Sequence, residues 1–281
     1  MLFTEISMTV TIKQILDKQR HLDVLWRFMA GLTGFRDIGW ELVCKAIQRA
    51  SLFSSCLLVQ SLFEIHSEQE IRTACDTIHK KQYQRIVSLN STDQQNYPLR
   101  TVAGTPFDCY AVGYCVAVSG HEWSLSASNI GGNEIVEMLS CGLRSVGDVW
   151  GYFYTLNLSR NSLTHQAIIY LSEFPSKILN QISVLDLSYN KLNKDAFNCL
   201  AVTVEHMVNL TRLDISNNPG GHGGMVKVFQ KLLTTKVHTL NVFKANLGSS
   251  DIQALSQLIR PAASLKAVSY THLTLPTNRE V

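Results

Sequence analysis

The sequence predicts an α/β solenoid, with parallel strands on a concave face and helices on a convex face, preceded by a small all-α domain. Three observations lead to this prediction. A short motif of alternating apolar residues occurs five times, an asparagine follows in most copies, and a helical pattern fills the intervals. The copies begin at residues 123, 156, 185, 213 and 240, so the steps are 33, 29, 28 and 27 residues. Such a period is typical of stacked strand–helix units.

The clearest copy of the motif reads Leu185-Asp-Leu187-Ser-Tyr-Asn190-Lys-Leu192. Successive residues of a strand point to opposite faces, so its alternate leucines should point into a core. An apolar residue also stands three positions before most copies, namely at Phe153, Ile182, Leu210 and Val237. Together these positions spell L-x-x-L-x-L-x-x-N-x-L, the leucine-rich-repeat pattern. Each copy therefore predicts one short strand.

The asparagines of the motif should stack as a ladder formed by Asn161, Asn190 and Asn218. Each follows a strand at the point where the chain turns away. A side-chain amide can both donate to and accept from backbone groups that such a turn leaves unpaired. Ser128 and Ala245 stand at the same place in the first and last copies, where we expect weaker positions of the ladder.

The intervals between the strands carry helical patterns. From Lys194 to Met207 the apolar residues follow a period near 3.6, and the intervals after Met225 and Ile252 repeat this arrangement. Pro261 should end the last of these helices. A helix in every unit favours the long, ribonuclease-inhibitor-like kind of repeat. No single unit can bury its own apolar face, so stability should come from stacking on neighbours.

The chain divides into four segments by composition. Residues 1–90 lack the repeat and predict a helical domain, and residues 91–104 are polar and predict a linker. Residues 105–268 hold the repeats with a leading helix, for which Thr105 supplies a cap and Pro106 the first helical position. Residues 269–281 are expected to form an irregular tail, since Leu273 and Pro276 interrupt the sixth copy of the motif, and this interruption favours a tail foreign to the gene over a native cap.

Composition and charge exclude several classes of function. A formal net charge of +3 over 281 residues is too small to argue for nucleic acid or for an anionic membrane. The seven cysteines fit neither paired zinc spacing nor a disulfide framework, so we expect small buried thiols and no metal. The N-terminus offers no secretory signal and no apolar run long enough to span a bilayer. A cytoplasmic setting is expected.

Three segments resemble NACHT-and-leucine-rich-repeat receptors, the NLR family. Val24-Leu-Trp-Arg-Phe-Met-Ala-Gly-Leu-Thr-Gly-Phe35 is similar to the family's segment after the winged helix. Leu57-Leu-Val-Gln-Ser-Leu-Phe-Glu-Ile-His66 is similar to the segment that follows, and Phe107-Asp-Cys-Tyr-Ala-Val-Gly-Tyr-Cys115 to the helix that leads into the repeats. The resemblance covers residues 20 to 268. It implies a truncated piece of an intracellular innate-immune receptor, containing the helical domain behind the ATPase and the first repeats.

The chain departs from that family in its chemistry. It contains no G-x-x-x-x-G-K-[ST] loop, so we expect no nucleotide and no cofactor. It also has no G-x-S-x-G elbow and no H-E-x-x-H helix, so no catalytic residue is predicted and the chain does not read as an enzyme. The glycine-rich segment 217–224 precedes a helix and could cradle a phosphate. Its position in the repeat favours an ordinary turn.

One column of the motif varies while the frame around it stays fixed. The fifth residue is Ala127 in the first copy and then becomes Arg160, Tyr189, Asn217 and Lys244, with Phe243 beside the last. Tyr and Arg are favoured anchors at protein interfaces. We therefore expect a non-catalytic module that binds a protein ligand or a partner domain through its repeats, with this column as the candidate site, although an ordinary solvated face fits as well. The alternative is a stand-alone repeat regulator of the ribonuclease-inhibitor or GTPase-activator kind.

Overall fold

A computed structural model describes residues 63–64, 67–80, 86–88, 105–259 and 267–269 of the chain. Most of the predicted helical domain, the predicted linker 91–104 and the tail from residue 270 lie outside these described residues. The described portion is an α/β structure in which strands and helices alternate along the chain.

All described strands join one parallel sheet of seven strands, and their order in the sheet is their order along the chain. Parallel neighbours need a connection that crosses back over the sheet, and the intervening helices provide it. The strands are β1 (Ile86–Ser88), β2 (Glu122–Ser126), β3 (Tyr152–Asn157), β4 (Val184–Asp186), β5 (Arg212–Asp214), β6 (Thr239–Asn241) and β7 (Ala267–Ser269).

The helices pack on one another in sequence, each against the helix of the neighbouring unit. The short helix α5 instead contacts strand β3. Their bounds are α1 (Glu68–Lys80), α2 (Pro106–Ser119), α3 (Glu134–Arg144), α4 (His165–Ser172), α5 (Ser176–Leu179), α6 (Lys194–Glu205), α7 (Val226–Leu232) and α8 (Ser249–Leu258).

Equivalent residues of successive units pair across the sheet, as the repeat predicts. Leu156, Leu185, Leu213 and Leu240 are partners in turn, and Val268 continues the row in β7. The four leucines are fully buried between the sheet and the row of helices. This row of apolar side chains forms a continuous core from unit to unit. The α/β class and the parallel sheet are therefore confirmed.

The register predicted for the first unit is wrong by two residues. Leu125, not Trp123, pairs with Leu156, because the pairing shifts between Trp123 and Ser124. The first step of the repeat is thus the 31 residues from 125 to 156. Trp123 is buried, and its indole nitrogen donates to the Ser119 hydroxyl at 2.8 Å. The sequence suggests Trp123 as the first residue of this copy because Trp123 is apolar and lies at a plausible distance from the next copy.

Two of the predicted boundaries also need correction. The region 1–90, predicted to be helical, includes a strand, since β1 pairs with β2 as the first strand of the sheet. Its sequence holds the β-branched residues Ile86 and Val87, but three residues are too short a run to show alternation. At the other end Ser269, which the sequence places in the tail, lies in β7 and pairs with Asn241.

The leading helix α2 begins as predicted and packs closely on α3. The Thr105 hydroxyl accepts from the backbone N–H of Asp108, whose carboxylate accepts the N–H of Thr105 at 2.7 Å, a capping box. Gly113 of α2 and Gly142 of α3 lie where the helices touch. A methyl group on Gly113 would stand 2.5 Å from the Leu139 carbonyl oxygen, so the close approach requires glycine.

Candidate functional site

The asparagine ladder lies inside the structure at the ends of the strands. Asn161, Asn190 and Asn218 are all buried. The side-chain carbonyl oxygen of Asn190, Oδ1, accepts the N–H groups of Asn161 at 2.9 Å and of Leu163 at 3.0 Å. Its amide nitrogen donates to the Leu158 carbonyl of the preceding unit and to the Leu187 and Ser188 carbonyls of its own. One side chain thus satisfies the turns of two adjacent units.

The two weaker positions predicted for the ladder have different outcomes. In the corrected register Ile130 stands at the ladder position of the first unit, and Ser128 belongs to a column of serines. The Ser128 hydroxyl lies 3.0 Å from that of Ser159. Ala245 does occupy the ladder position of the last unit and is buried, but it carries no amide. The ladder therefore has three asparagines among the described residues.

A second column, at the last residue of strands β3 to β6, fixes the backbone that follows. Asn157, Asp186, Asp214 and Asn241 each accept, through Oδ1, the N–H of the residue two positions ahead. These side-chain turns lead the chain out of the strand. Burial raises the pKa of the half-buried Asp186, and the Asp214 carboxylate adds to this, while hydrogen bonds from Ser188 oppose it.

The predicted ligand column follows these turns and has a left-handed backbone. The φ angles are 59° at Arg160, 54° at Tyr189, 53° at Asn217 and 51° at Lys244, and Asn129 of the first unit has 59°. Asn129 therefore takes the place that the sequence assigned to Ala127, which is fully buried. Non-glycine residues rarely adopt this region, and a bulky Tyr does so only where its surroundings hold it.

Backbone hydrogen bonds stack the residues of this column unit upon unit. The N–H of Arg160 donates to the Ser188 carbonyl at 3.0 Å, and that of Tyr189 donates to the Ser216 carbonyl at 3.0 Å. In the same way, the N–H of Asn217 donates to the Phe243 carbonyl at 2.7 Å. We call Arg160, Tyr189, Asn217 and Lys244 the strand-end column.

Side chains of the strand-end column form two cation–π pairs at the surface. The Arg160 guanidinium lies 4.0 Å from the centre of the Tyr189 ring, which is 46% exposed. The Lys244 ammonium lies 5.2 Å from the ring centre of Phe243. Phe243 stands where the preceding units have a buried serine, and its ring is half exposed. Four of the predicted ligand-binding residues thus lie in the strand-end column, and Phe243 lies beside it in the column of serines.

Several N–H groups of the glycine-rich segment 217–224 already have acceptors inside the protein, so the segment is an ordinary turn. Those of Gly220 and Gly224 donate to backbone carbonyls, and that of Gly223 donates to Asp251. Asp251 of α8 is fully buried. Its two oxygens accept the N–H groups of Gly223 at 2.7 Å, Met225 at 2.9 Å and Gly248 at 2.8 Å. No phosphate could use these amides without displacing the carboxylate. Asp251 is not among the residues that the sequence singles out, although an acidic residue in the first turn of a helix is a signal that points to it.

The described ranges also bear on whether the chain could hold a metal ion or cross a membrane. No group of three or more His, Cys, Asp or Glu residues there lies close enough together to hold a metal ion. Within the same ranges every helix falls short of the length and apolar character that a membrane crossing requires. Comparison of the chain with known protein families and with curated proteins finds no match.

Proposed function

We propose that this chain is a leucine-rich-repeat module that binds a protein through the strand-end column and Phe243. The observation that carries the proposal is the pair formed by Arg160 and Tyr189. Both side chains are exposed, yet their backbones are fixed by the buried ladder behind them. An exposed aromatic–guanidinium pair on a rigid frame loses little conformational entropy when a partner covers it. Such residues commonly dominate the binding energy of protein interfaces.

We further propose that the repeats belong to an NLR-like receptor of the cytoplasm, as the resemblance implies. Contacts between the earlier segments and the leading helix support this. The Phe63 ring meets Phe107, Tyr110 and Tyr114 of α2 edge to face, with ring centres 5.5 to 5.8 Å apart. His121 Nε2 lies 2.8 Å from the Asp76 carboxylate of α1. The resemblance implies such docking of the helical domain on the repeats.

The proposed activity is binding and involves no catalysis, nucleotide or cofactor. Several amides of the most glycine-rich segment are used within the fold, by backbone carbonyls and, at Gly223, by Asp251. The exposed residues that vary between units are aromatic, basic or amide side chains, which suit recognition of a protein surface. In this proposal the buried residues of each unit serve only to hold that row in place.

The test is a titration of partners first captured with the wild-type chain. Arg160→Ala and Tyr189→Ala should each weaken a true partner by at least about tenfold, on the scale of about 1.4 kcal/mol that interface anchors supply. Neither side chain is buried, so the midpoint of thermal unfolding should hardly change.

Arg144→Ala is the matched control. It removes the same charge from the end of α3, where the guanidinium contacts the Glu173 carboxylate at 3.1 Å. This variant should bind like the wild type. If Arg160→Ala and Tyr189→Ala also bind like the wild type, the strand-end column is not the binding surface.

A further inference from the structure

A thiol and an imidazole meet between the helices of two adjacent units. Cys199 lies on α6 and His165 is the first residue of α4, and the two helices pack together. The Sγ atom of Cys199 is 3.1 Å from Nε2 of His165. Both residues are half-buried, so each keeps part of its surface in contact with solvent. Nothing in the binding function proposed above uses this pair.

Other described cysteines differ from Cys199 in access or in partner. Cys75, Cys109 and Cys115 are buried, and burial raises the pKa of the Cys115 thiol well above its usual range. Cys141 on α3 is half exposed like Cys199. Its thiol makes no hydrogen bond within the described portion of the chain, so it offers a matched reference for a thiol without a base.

We propose that Cys199 is a reactive thiol and a site of oxidation by hydroperoxides, with His165 as its base. A thiolate is the nucleophile in such chemistry, and a neighbouring imidazole within hydrogen-bond reach can take the thiol proton. In the step, His165 Nε2 receives the proton from Sγ. The sulfur then attacks the terminal oxygen of the peroxide, so the S–O bond forms and the O–O bond breaks.

The products of this step balance. The leaving alkoxide or hydroxide takes a proton back and departs as an alcohol or as water. The sulfur is oxidised from thiol to sulfenic acid while the peroxide is reduced. The added oxygen would lie where α4 and α6 pack, which places a polar group at the contact between two repeat units. The modification is therefore positioned to alter their stacking.

The test compares two thiols within one protein. The full-length chain is treated with hydrogen peroxide, sulfenic acid is trapped with dimedone, and mass spectrometry follows the peptides that contain Cys199 and Cys141. We expect Cys199 to react at least about tenfold faster, a conservative figure for a positioned base. His165→Gln keeps a side chain able to hydrogen-bond but unable to take the proton. It should bring the Cys199 rate close to that of Cys141.

Equal rates for Cys199 and Cys141 in the wild-type chain would overturn the proposal, and this comparison needs no variant. A Cys199 rate unchanged by His165→Gln would overturn the role of the imidazole. Circular dichroism and the reactivity of buried Cys109 report whether the variant is folded. If it is not, the wild-type ratio alone decides. The outcome is independent of the binding titrations, since neither residue belongs to the strand-end column.

Discussion

The units of β3, β4 and β5 differ from the units of β2 and β6 on either side of them, which we call the middle and the outer units, in how the turn after the strand finds hydrogen-bond partners. In the middle, Asn161, Asn190 and Asn218 fill the ladder position, whereas the first and last units have Ile130 and Ala245 there. Each turn after a strand leaves buried N–H and C=O groups that need partners. The outer units have no amide side chain at this position, so the N–H and C=O groups of their turns need other partners.

The first unit shows how this works, because its partners come from the next unit. The Asn161 carbonyl oxygen accepts the N–H groups of Ile130 at 2.8 Å and Gly131 at 3.3 Å, and its amide donates to the Ala127 carbonyl. An isoleucine is therefore tolerated at the ladder position of the first unit. The side-chain carbonyl of each ladder asparagine therefore accepts N–H groups of the unit before it.

At the other end of the ladder, a backbone carbonyl serves the turn after Asn218, and a carboxylate fixes the segment beyond that turn. Ala245 offers no acceptor to the turn after Asn218, and Gly220 there donates instead to the Leu192 carbonyl at 3.0 Å. The glycine-rich segment that follows is fixed by Asp251 through Gly223, Met225 and Gly248. A charged group accepting three backbone N–H groups makes strong hydrogen bonds and can stay buried.

Replacing Asn190 should have the largest effect on stability. Asn190→Ala leaves the N–H groups of Asn161 and Leu163 without their acceptor, and a buried polar group without a partner costs about 1–3 kcal/mol. The three carbonyls that the Asn190 amide contacts each keep a second donor, from Asn161, Asn218 or Arg160. We expect a loss of about 3–5 kcal/mol in urea unfolding, at the upper end for single substitutions. Ala245→Gly, at the position that lacks an amide, is the comparison and should cost far less. Equal losses would break the contrast between middle and outer units.

Replacing Asp251 should come next. Asp251→Ala leaves the N–H groups of Gly223, Met225 and Gly248 without their acceptor, and we expect a loss of about 2–4 kcal/mol. The exposed Asp195, also in the first turn of its helix, is the control, and Asp195→Ala should cost well under half as much. A loss at Asp251 no larger than at Asp195 would show that the carboxylate does not organise this end.

The first unit also depends on the close contact of its helix with α2. Gly142→Ala places a methyl group against the Tyr110 carbonyl oxygen and 2.9 Å from the Tyr114 nitrogen. We expect a loss of about 1–3 kcal/mol from overpacking. A methyl group on Gly147 would have nothing within 4 Å, so Gly147→Ala should be nearly neutral in the same thermal unfolding experiment. Similar effects at both glycines would mean that α2 and α3 can separate at little cost.

The smallest predicted effect is a gain in stability rather than a loss, and it concerns strand β4 in the middle of the sheet. Burial raises the pKa of Asp186 above 3.8, its ordinary value, so at neutral pH its ionised form costs stability. The equivalent residues Asn157 and Asn241 make the same turn without a charge. Asp186→Asn should therefore raise the free energy of unfolding at pH 7. The gain should vanish below pH 3.8, where both folded and unfolded chains hold the proton, and a gain that persists there would contradict this cause.

The sequence predicted the middle units well because their copies of the motif share nearly all of its apolar residues and its asparagine. The leucine pairs and the three asparagines of 156–218 repeat at steps of 29 and 28 residues, and both their register and their burial follow from that pattern. The first unit was misread since Trp123 is apolar and two residues from the true anchor, and a shift in strand pairing is not visible in a sequence.

Side-chain contacts between units were the hardest feature to predict. Arg160 and Tyr189 stand at equivalent positions of their units, which follows from the repeat, and their role in binding stays a prediction. Its left-handed backbone was not expected, since glycine is absent there. Asp251 and the Cys199–His165 pair join residues 26 to 34 positions apart, and only the packing of neighbouring units brings them together.

Hydrogen exchange in Asn190→Ala tests most directly whether the carbonyl of each asparagine serves the preceding unit. The N–H groups that donate to this side chain belong to Asn161 and Leu163, in the unit before it. Measured under native conditions, peptides covering 158–164 should lose protection in the variant. Peptides covering 187–193 should keep theirs, because the Asn218 side chain still accepts the Leu192 N–H at 3.1 Å. Loss of protection confined to 187–193, with 158–164 unchanged, would contradict the account.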